Sequence, residues 1–570
     1  MCGIAGIVDL SRVVDLDELN RFTDALQHRG PDGRGIWNKD PRFGLGHRRL
    51  SILDLSDNGA CPLEYEAPSG AKSVITYNGE VYNFVELKKE LEGLGHRFKT
   101  ATDTEVLAAC LAQWGKQGLN KLNGMWAFAF LDRSQNTLLL SRDRFGVKPL
   151  YYAIQNNKFY FASELKAFTA LKGFTRELNE ALVPSYISNS QAIEGSTEHT
   201  LFKDVYKLMP GHIIVLTANG QIVKERWWNT RENTRDYSQV SALERASIFR
   251  DLFIDATRIR MRSDVPVGCS FSGGIDSTAV ASCIKLIQRN NASAERTYQG
   301  PFSGFLSAFP GDPLDETEFA RLAADEIQLE LTENQTKGAY TTESVLKNIW
   351  VMEDIYPGIA IPVAENYRAI RDAGIKVSID GHGSDELLGG YAFYLPIPIG
   401  NLNNTLYHQF HQGLLPSILR NYDRCSMASG VEVRMPFMDF RLVSFAFSCP
   451  DSDKIGNGYT KSILRASMAG IMPEAIRTRR NKIGFNSPLP ALFNDDLLPL
   501  LGLITSTSIW KENPWWGNSL EVGEILKKAR TRSWVESDWP TLLQLWTLVN
   551  LCAWILTFIE NKFPQLGNTR

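Results

Sequence analysis

The sequence predicts a chain of two unlike parts. Residues 1–228 are expected to form an α+β unit of stacked antiparallel sheets, and residues 229–570 an α/β unit with a parallel sheet and a mainly helical C-terminal end. Three observations predict this. The 570 residues exceed what one hydrophobic core supports. Up to about residue 165, short apolar runs alternate with Gly, Asn and Asp, the spacing of antiparallel strands. After residue 241 the pattern becomes helix, buried strand, glycine turn and helix, the alternation of a parallel sheet with flanking helices.

The elements follow in order. CGIAGIV, GLGHRRLSIL, SVITYNGEVYN, MWAFAFLD, TLLLSRD, PLYYAI and FYFASE read as strands, while NFVELKKELEGLG and DTEVLAACLAQWG read as helices. The second of these helices opens on Asp103 in the position of an N-cap. NTRENTRDYSQVS (229–241) is nearly devoid of apolar residues and is the linker. Beyond it VPVGCSFSGG is a buried strand, STAVASCIKLIQ a helix and IKVSID another strand; TKSILRASMAGIM begins the helical end.

With 44% hydrophobic and 22% charged residues the chain is globular in composition. Its 61 basic and 64 acidic side chains give a formal charge of −3, which offers nothing for nucleic acid or an anionic membrane. Eight cysteines make no CxxC pair, which excludes zinc-finger spacing and fits a reducing compartment. The start MCGIAGIVDL lacks the basic region and long apolar run of a secretory signal, so a cytoplasmic location is expected. LLQLWTLVNLCAWILTFI (542–559) approaches the length of a membrane span, but its polar interruptions make it a core helix.

Chemistry begins at Cys2. Removal of the initiator Met leaves it a free α-amine, with an ordinary pKa of roughly 7.7–8.0, able to take the proton of its own thiol. Such a nucleophile also needs oxyanion donors and groups that hold the substrate. HRGPDGRG (28–35), GHRRLSILD (46–54), YNGEVYN (77–83) and TATDTEVL (100–107) follow it. MCGIAG with HRGPD, HRRLSI, NGE and TDTE resembles the N-terminal-nucleophile (Ntn-hydrolase) glutaminase domain of asparagine synthetases and related amidotransferases. SRDRFGVKPLYYA (141–153) also matches. The resemblance implies that Cys2 attacks the side-chain amide of L-glutamine, that the Asn78 amide and the Gly79 backbone N–H donate to the oxyanion, and that Arg49 pairs with the α-carboxylate. It places Leu50, Ser51, Ile52 and Leu53 beside the ligand, with Glu80 and Asp103 on its ammonium group.

FSGGIDSTAV (271–280) follows a strand and opens a helix, where backbone N–H groups and the helix dipole favour an anion. It is neither GxGxxG nor GxxxxGK[ST]. The string resembles the pyrophosphate loop of ATP pyrophosphatases. ATP would then meet Ser272, Gly273, Gly274, Asp276, Ser277 and Thr278, with Asp276 a Mg2+ ligand, since hard cations take carboxylate oxygen. GHGSDELLGGY (381–391) resembles the second ATP and metal loop of the synthetase domain, with Asp385 the second Mg2+ ligand and Asp380 and Gly381 lining the nucleotide. Ser270 and Ser307, in GCSFSGG and GFLSAFPG, fall where the family contacts adenosine. NGYTKSILR places Lys461 on the phosphates and the acyl-adenylate. DRCSMASGVEVRMPFMD (423–439) and RRNKIGFNSP (479–488) extend the likeness.

The resemblance implies one sequence of steps: adenylation of a carboxylate by Mg-ATP, then displacement of AMP by ammonia delivered through an internal tunnel. It is compatible with a homodimer. In the second loop the family reads S-G-E-G-x-D-E, and His382 stands here in place of that glutamate; EDIYPGIAIPVAENY (353–367) also lacks the family's Thr-Thr-x-Arg stretch. His382 is expected to donate to a phosphate or acyl oxygen or to serve as a proton shuttle; the alternative is a turn histidine without a chemical role. The acceptor is L-aspartate on the global likeness. A sugar uronate, a peptide or a biosynthetic intermediate is the alternative, and an inactive binding homologue a third reading.

Overall fold

The computed structural model describes residues 2–290, 295–313, 315–335, 340–480, 489–516 and 522–567. Residues 481–488, most of the RRNKIGFNSP match, lie outside them. The strands of the first half, in chain order, are β1 (Gly3–Asp9), β2 (Gly33–Trp37), β3 (Phe43–Arg49), β4 (Leu63–Glu66), β5 (Lys72–Val81), β6 (Gly124–Asp132), β7 (Thr137–Arg142), β8 (Tyr151–Gln155), β9 (Lys158–Ala162), β10 (Val205–Lys207), β11 (His212–Leu216) and β12 (Ile222–Arg226). They form two six-stranded sheets, β10-β8-β9-β1-β3-β2 and β12-β11-β7-β6-β5-β4, antiparallel throughout.

The two-residue period of a strand sends alternate side chains to opposite faces. In β1, Ile4 and Val8 join Ala127, Ala129 and Leu140 between the sheets, while Ala5 and Ile7 face helices on the outside. In β6, Trp126, Phe128 and Phe130 turn away from the first sheet onto the helices Phe84–Gly93 and Asp103–Trp114. The first half is thus four layers, with helices covering both sheets.

The second half holds β13 (Val267–Ser270), β14 (Ser303–Ala308), β15 (Glu330–Gln335), β16 (Val377–Ile379) and β17 (Glu432–Arg434), all parallel, in the order β15-β14-β13-β16-β17. The chain leaves β13 to one side and returns to β16 on the other. That switch point opens a crevice at the carboxyl ends of β13 and β16, where open α/β sheets take their ligands. A small hairpin, β18 (Ile455–Gly456) with β19 (Tyr459–Thr460), delivers Lys461 to the same end.

The helix Trp539–Trp554 and its continuation to Ile559 are long and apolar enough to cross a membrane, but 83% of that apolar window is buried inside the protein. Its polar groups have partners: Trp546 Nε1 donates to the Gly358 carbonyl at 2.9 Å and Trp554 Nε1 to that of Glu353 at 2.8 Å. This helix shares one core with the outer face of the first sheet. The C-terminal end therefore serves both halves, where the sequence pattern assigned it to the second alone.

The N-cap of Asp103–Trp114 is Thr102, whose Oγ1 accepts from Glu105 N at 3.3 Å; Asp103 is the first helical residue. Its carboxylate is turned instead to the Val81 N–H and the Tyr77 hydroxyl, both at 2.9 Å.

Candidate active sites

Cys2 stands at the start of β1, beside the inner sheet edge that carries Asn78 and Gly79. Its backbone N–H donates to Asn78 Oδ1 at 3.0 Å. Asn78 is fully buried, and its Nδ2 has no hydrogen-bond partner among the described residues. A buried amide donor left open costs free energy unless a ligand takes it. Burial pushes the Cys2 thiol up, and a hydrogen bond from the Leu50 backbone works against that. A small cavity of about 40 Å3 opens here, lined by Cys2, Arg49, Leu50, Ile52, Leu53, Gly79, Glu80 and Asp103.

The charges in this pocket are already engaged. Arg49 donates to the carbonyls of Ser56 at 2.8 Å, Leu53 at 3.4 Å and Asp54, holding the 53–56 turn. Glu80 pairs at 3.1 Å with Arg434 of the second half, and burial raises its carboxyl well above the usual range. Burial also raises Asp103 to about 6, against the pull of the Val81 N–H and the Tyr77 hydroxyl. Ser51 lies off the cavity wall, its N–H donating to Asp32 Oδ2 at 2.9 Å. Sequence reasoning missed Glu432, which lines the pocket from β17. Nothing local in GVEVRMP signals it.

The second cavity, about 300 Å3, lies at the switch point. Ser270, Ser272, Gly274, Asp276 and Ser277 line one side, and Gly381, His382 and Asp385 the other. The two turns touch: a Cβ on Gly381 would lie 2.8 Å from the carbonyl carbon of Asp276 and 2.9 Å from Ser277 N, so only glycine lets them close. Ser272 Oγ and Ser277 Oγ are 3.3 Å apart at the mouth of the helix Ile275–Arg289. Gly273 packs on the backbone of Ala320.

Lys461 Nζ sits between the carboxylates of Asp276, at 2.5 Å, and Asp385, at 2.6 Å. A Cβ on Gly390 would lie 1.9 Å from Asp385 Oδ1 and 2.2 Å from Lys461 Cε, so that glycine makes room for the pair. The two carboxylates thus already converge on one cation. Mg2+ characteristically takes one or two carboxylates and completes its shell with phosphate oxygens and water, and this donor set fits it. Among the described residues no group of three or more His, Cys, Asp or Glu is arranged to hold a metal by itself.

Three residues expected on the nucleotide lie behind the wall. The Asp380 carboxylate is consumed by the Ser270 N–H (2.9 Å) and the hydroxyls of Ser378 and Tyr367 (2.6 Å each). Ser307 is buried in β14 and donates to the Pro362 carbonyl at 3.1 Å. Thr278 is fully buried within its helix. Each occupies a position in strand, turn or helix whose side chain turns into the core. His382 faces the cavity, its ring 3.6 Å from that of Tyr422 and its Nε2 3.5 Å from Asp380 Oδ2. Tyr356, Leu414, Ile418 and Tyr422 also line the cavity. They carry no motif and were not legible as site residues.

Stacked antiparallel sheets holding a cysteine pocket, joined to a parallel sheet with a glycine-rich turn at its switch point, define a two-site, glutamine-dependent amidotransferase class. The glutamine amidotransferase domain family matches residues 1–228, and the asparagine synthase family matches 248–404 and 399–556, more than half of the chain. The chain belongs to the asparagine synthase family. It is 27% identical to asparagine synthetase [glutamine-hydrolyzing] 1 of Bacillus subtilis, over 99% of this chain and 98% of that protein. It is 32% identical to a putative asparagine synthetase 2 of Methanocaldococcus jannaschii, over 69% of this chain and 76% of that protein. It is also 32% identical to amidase chry2 of Gibberella zeae, over 69% and 59% respectively.

Proposed function

We propose that the chain makes L-asparagine from L-aspartate, L-glutamine and ATP, releasing L-glutamate, AMP and pyrophosphate. The observation that carries this reading is the presence, in one chain, of the Cys2 pocket with an open Asn78 amide donor and of a crevice where two carboxylates and Lys461 meet a glycine-rich turn. Cys2 attacks the glutamine amide, and Asn78 Nδ2 with the Gly79 N–H holds the oxyanion. Arg49 takes the α-carboxylate on leaving its turn carbonyls, and Asp103 takes the ammonium. Ammonia leaves and a γ-glutamyl thioester remains for water.

In the second crevice the aspartate side-chain carboxylate attacks the α-phosphorus of ATP, and pyrophosphate departs. Ser272, Ser277 and the N-terminal N–H groups of their helix bind phosphate oxygens. Asp276 and Asp385 would hold Mg2+, which offsets the charge of the leaving pyrophosphate. Lys461 adds its own charge there. Ammonia then attacks the acyl carbon, AMP leaves, and His382 accepts the surplus proton. The eight free cysteines suit a reducing, cytoplasmic setting.

A second reading, the same chemistry on a bulkier acid, is favoured by the apolar wall of Tyr356, Leu414, Ile418 and Tyr422 beside His382. Pyrophosphate release with Mg-ATP and glutamine across a panel of carboxylic acids separates the two. Aspartate-dependent release is expected; release with another acid and none with aspartate would overturn the first reading. Cys2→Ala should lose glutamine-dependent synthesis and keep synthesis from ammonium salts.

A further inference from the structure

The Cys2 pocket is not built by the first half alone. Arg29, fully buried, donates through Nε to the Cys2 carbonyl at 3.0 Å. Its other nitrogens grip Asp423 in a fork, Nη1 to Oδ2 at 2.8 Å and Nη2 to Oδ1 at 3.1 Å, and Nη1 also meets Glu164 Oε1 at 2.6 Å. Asp423 belongs to the helix Leu414–Ala428 of the second half, and so do the cavity residues Leu414, Ile418 and Tyr422. The side chain next to Asp423 in sequence is thus the one whose ring lies against His382, tilted by 32°. Asp423 is held in turn by Arg424 at 2.9 Å, and Arg424 by Glu353 at 2.8 Å.

We infer that Asp423 is a positioning residue for the Cys2 nucleophile, acting through Arg29, so that the ATP-binding half completes the glutamine site of the other half. A planar guanidinium held by two carboxylates has one orientation. That orientation sets where Nε meets the Cys2 carbonyl, and so the direction of the thiol relative to Asn78 and Gly79. A shift of about 1 Å in a reacting group can cost on the order of 100-fold in rate. Glu432 on the pocket wall and Arg434 on Glu80 show the same dependence on the second half at two further points. The inference rests on Cys2 being the nucleophile.

Hydrolysis and alkylation use the full chain without ATP or acceptor, so that they stand whatever acid is adenylated, and Mg-ATP binding is measured separately. Glutamine hydrolysis and the rate of Cys2 alkylation by a diazoketone analogue of glutamine are measured for wild type, Asp423→Asn, Arg29→Lys and the double variant. Asp423→Asn should lower kcat at least tenfold with KM for glutamine within twofold, and should slow alkylation by a similar factor. Mg-ATP binding should stay within twofold. The double variant should be no slower than Arg29→Lys, because both act through one contact. Should Asp423→Asn fail to bind Mg-ATP, Asp423→Glu replaces it under the same criteria. Hydrolysis and alkylation within twofold of wild type, a change in KM alone, or additive losses in the double variant would each overturn the inference. Cys2→Ala separates the underlying reading: hydrolysis persisting in Cys2→Ala removes the nucleophile itself, whereas its loss there with normal Asp423→Asn removes only the coupling.

Discussion

Replacing Lys461 by methionine takes a buried cation from between two carboxylates while keeping much of the side-chain volume. Nζ is 2.5 Å from Asp276 Oδ2 and 2.6 Å from Asp385 Oδ1, so the two oxygens lie no further apart than those lengths laid end to end, about 5 Å. At an effective dielectric constant of about 20, two like charges at about 5 Å repel by about 3 kcal/mol. That repulsion is present in wild type too, where the ammonium offsets it; removing one partner of a buried ion pair costs about 3–5 kcal/mol, and the variant should be destabilised by about that much in EDTA. If the acids are a cation site, Mg2+ should bind the variant and recover most of the loss, while moving wild type less. Thermal unfolding of the full chain with EDTA and with MgCl2 reads both effects. Pyrophosphate release should fall at least about 100-fold, or about 2.7 kcal/mol of lost transition-state stabilisation. A variant as stable as wild type in EDTA, with the same response to Mg2+, would refute the assignment of Asp276 and Asp385.

Two further predictions concern the pockets separately. Asp103, raised to about 6 by burial, attracts glutamine's ammonium only when ionised, and its ionised fraction grows with pH. Below pH 7, kcat/KM for glutamine should therefore rise with pH and level off above about 6, and Asp103→Asn should lose that inflection together with about 100-fold of kcat/KM, the worth of a charge-assisted hydrogen bond. Gly381→Ala would set its Cβ 2.8 Å from Asp276 and force the two turns apart; ATP-dependent pyrophosphate release should fall at least tenfold, while glutamine hydrolysis stays within twofold.

Much of the site was legible because its signals are local. SGGIDS and GHGSDE each sit in one strand-turn-helix passage, so residue order alone placed their glycines and acids at a helix mouth. The strands around Cys2 and Asn78 were legible for the same reason, since short apolar runs broken by Gly, Asn and Asp show within a short window. The side chains of Ser307 and Thr278 turn into the core, which the sequence did not show, because one residue's shift along a strand or helix decides between cavity and core. The Asp103 cap went wrong because Thr102 satisfies the same orphan N–H group, freeing the carboxylate for Val81 and Tyr77.

What the sequence by itself determined is the chemistry available: a thiol at position 2, a glycine turn before a helix, two acids and a lysine, and a histidine in the second turn. What only the tertiary structure decided is which of these meet. Strand order brings the turns after β13 and β16 together at the switch point, and the packing of the helix Leu414–Ala428 puts Asp423 on Arg29 and Tyr422 on His382. Residues 29 and 423 are almost 400 positions apart, and no periodicity or spacing carries information over that distance. Their contact exists because a buried guanidinium must find carboxylates within the fold, and the interface between the halves is where both are out of water.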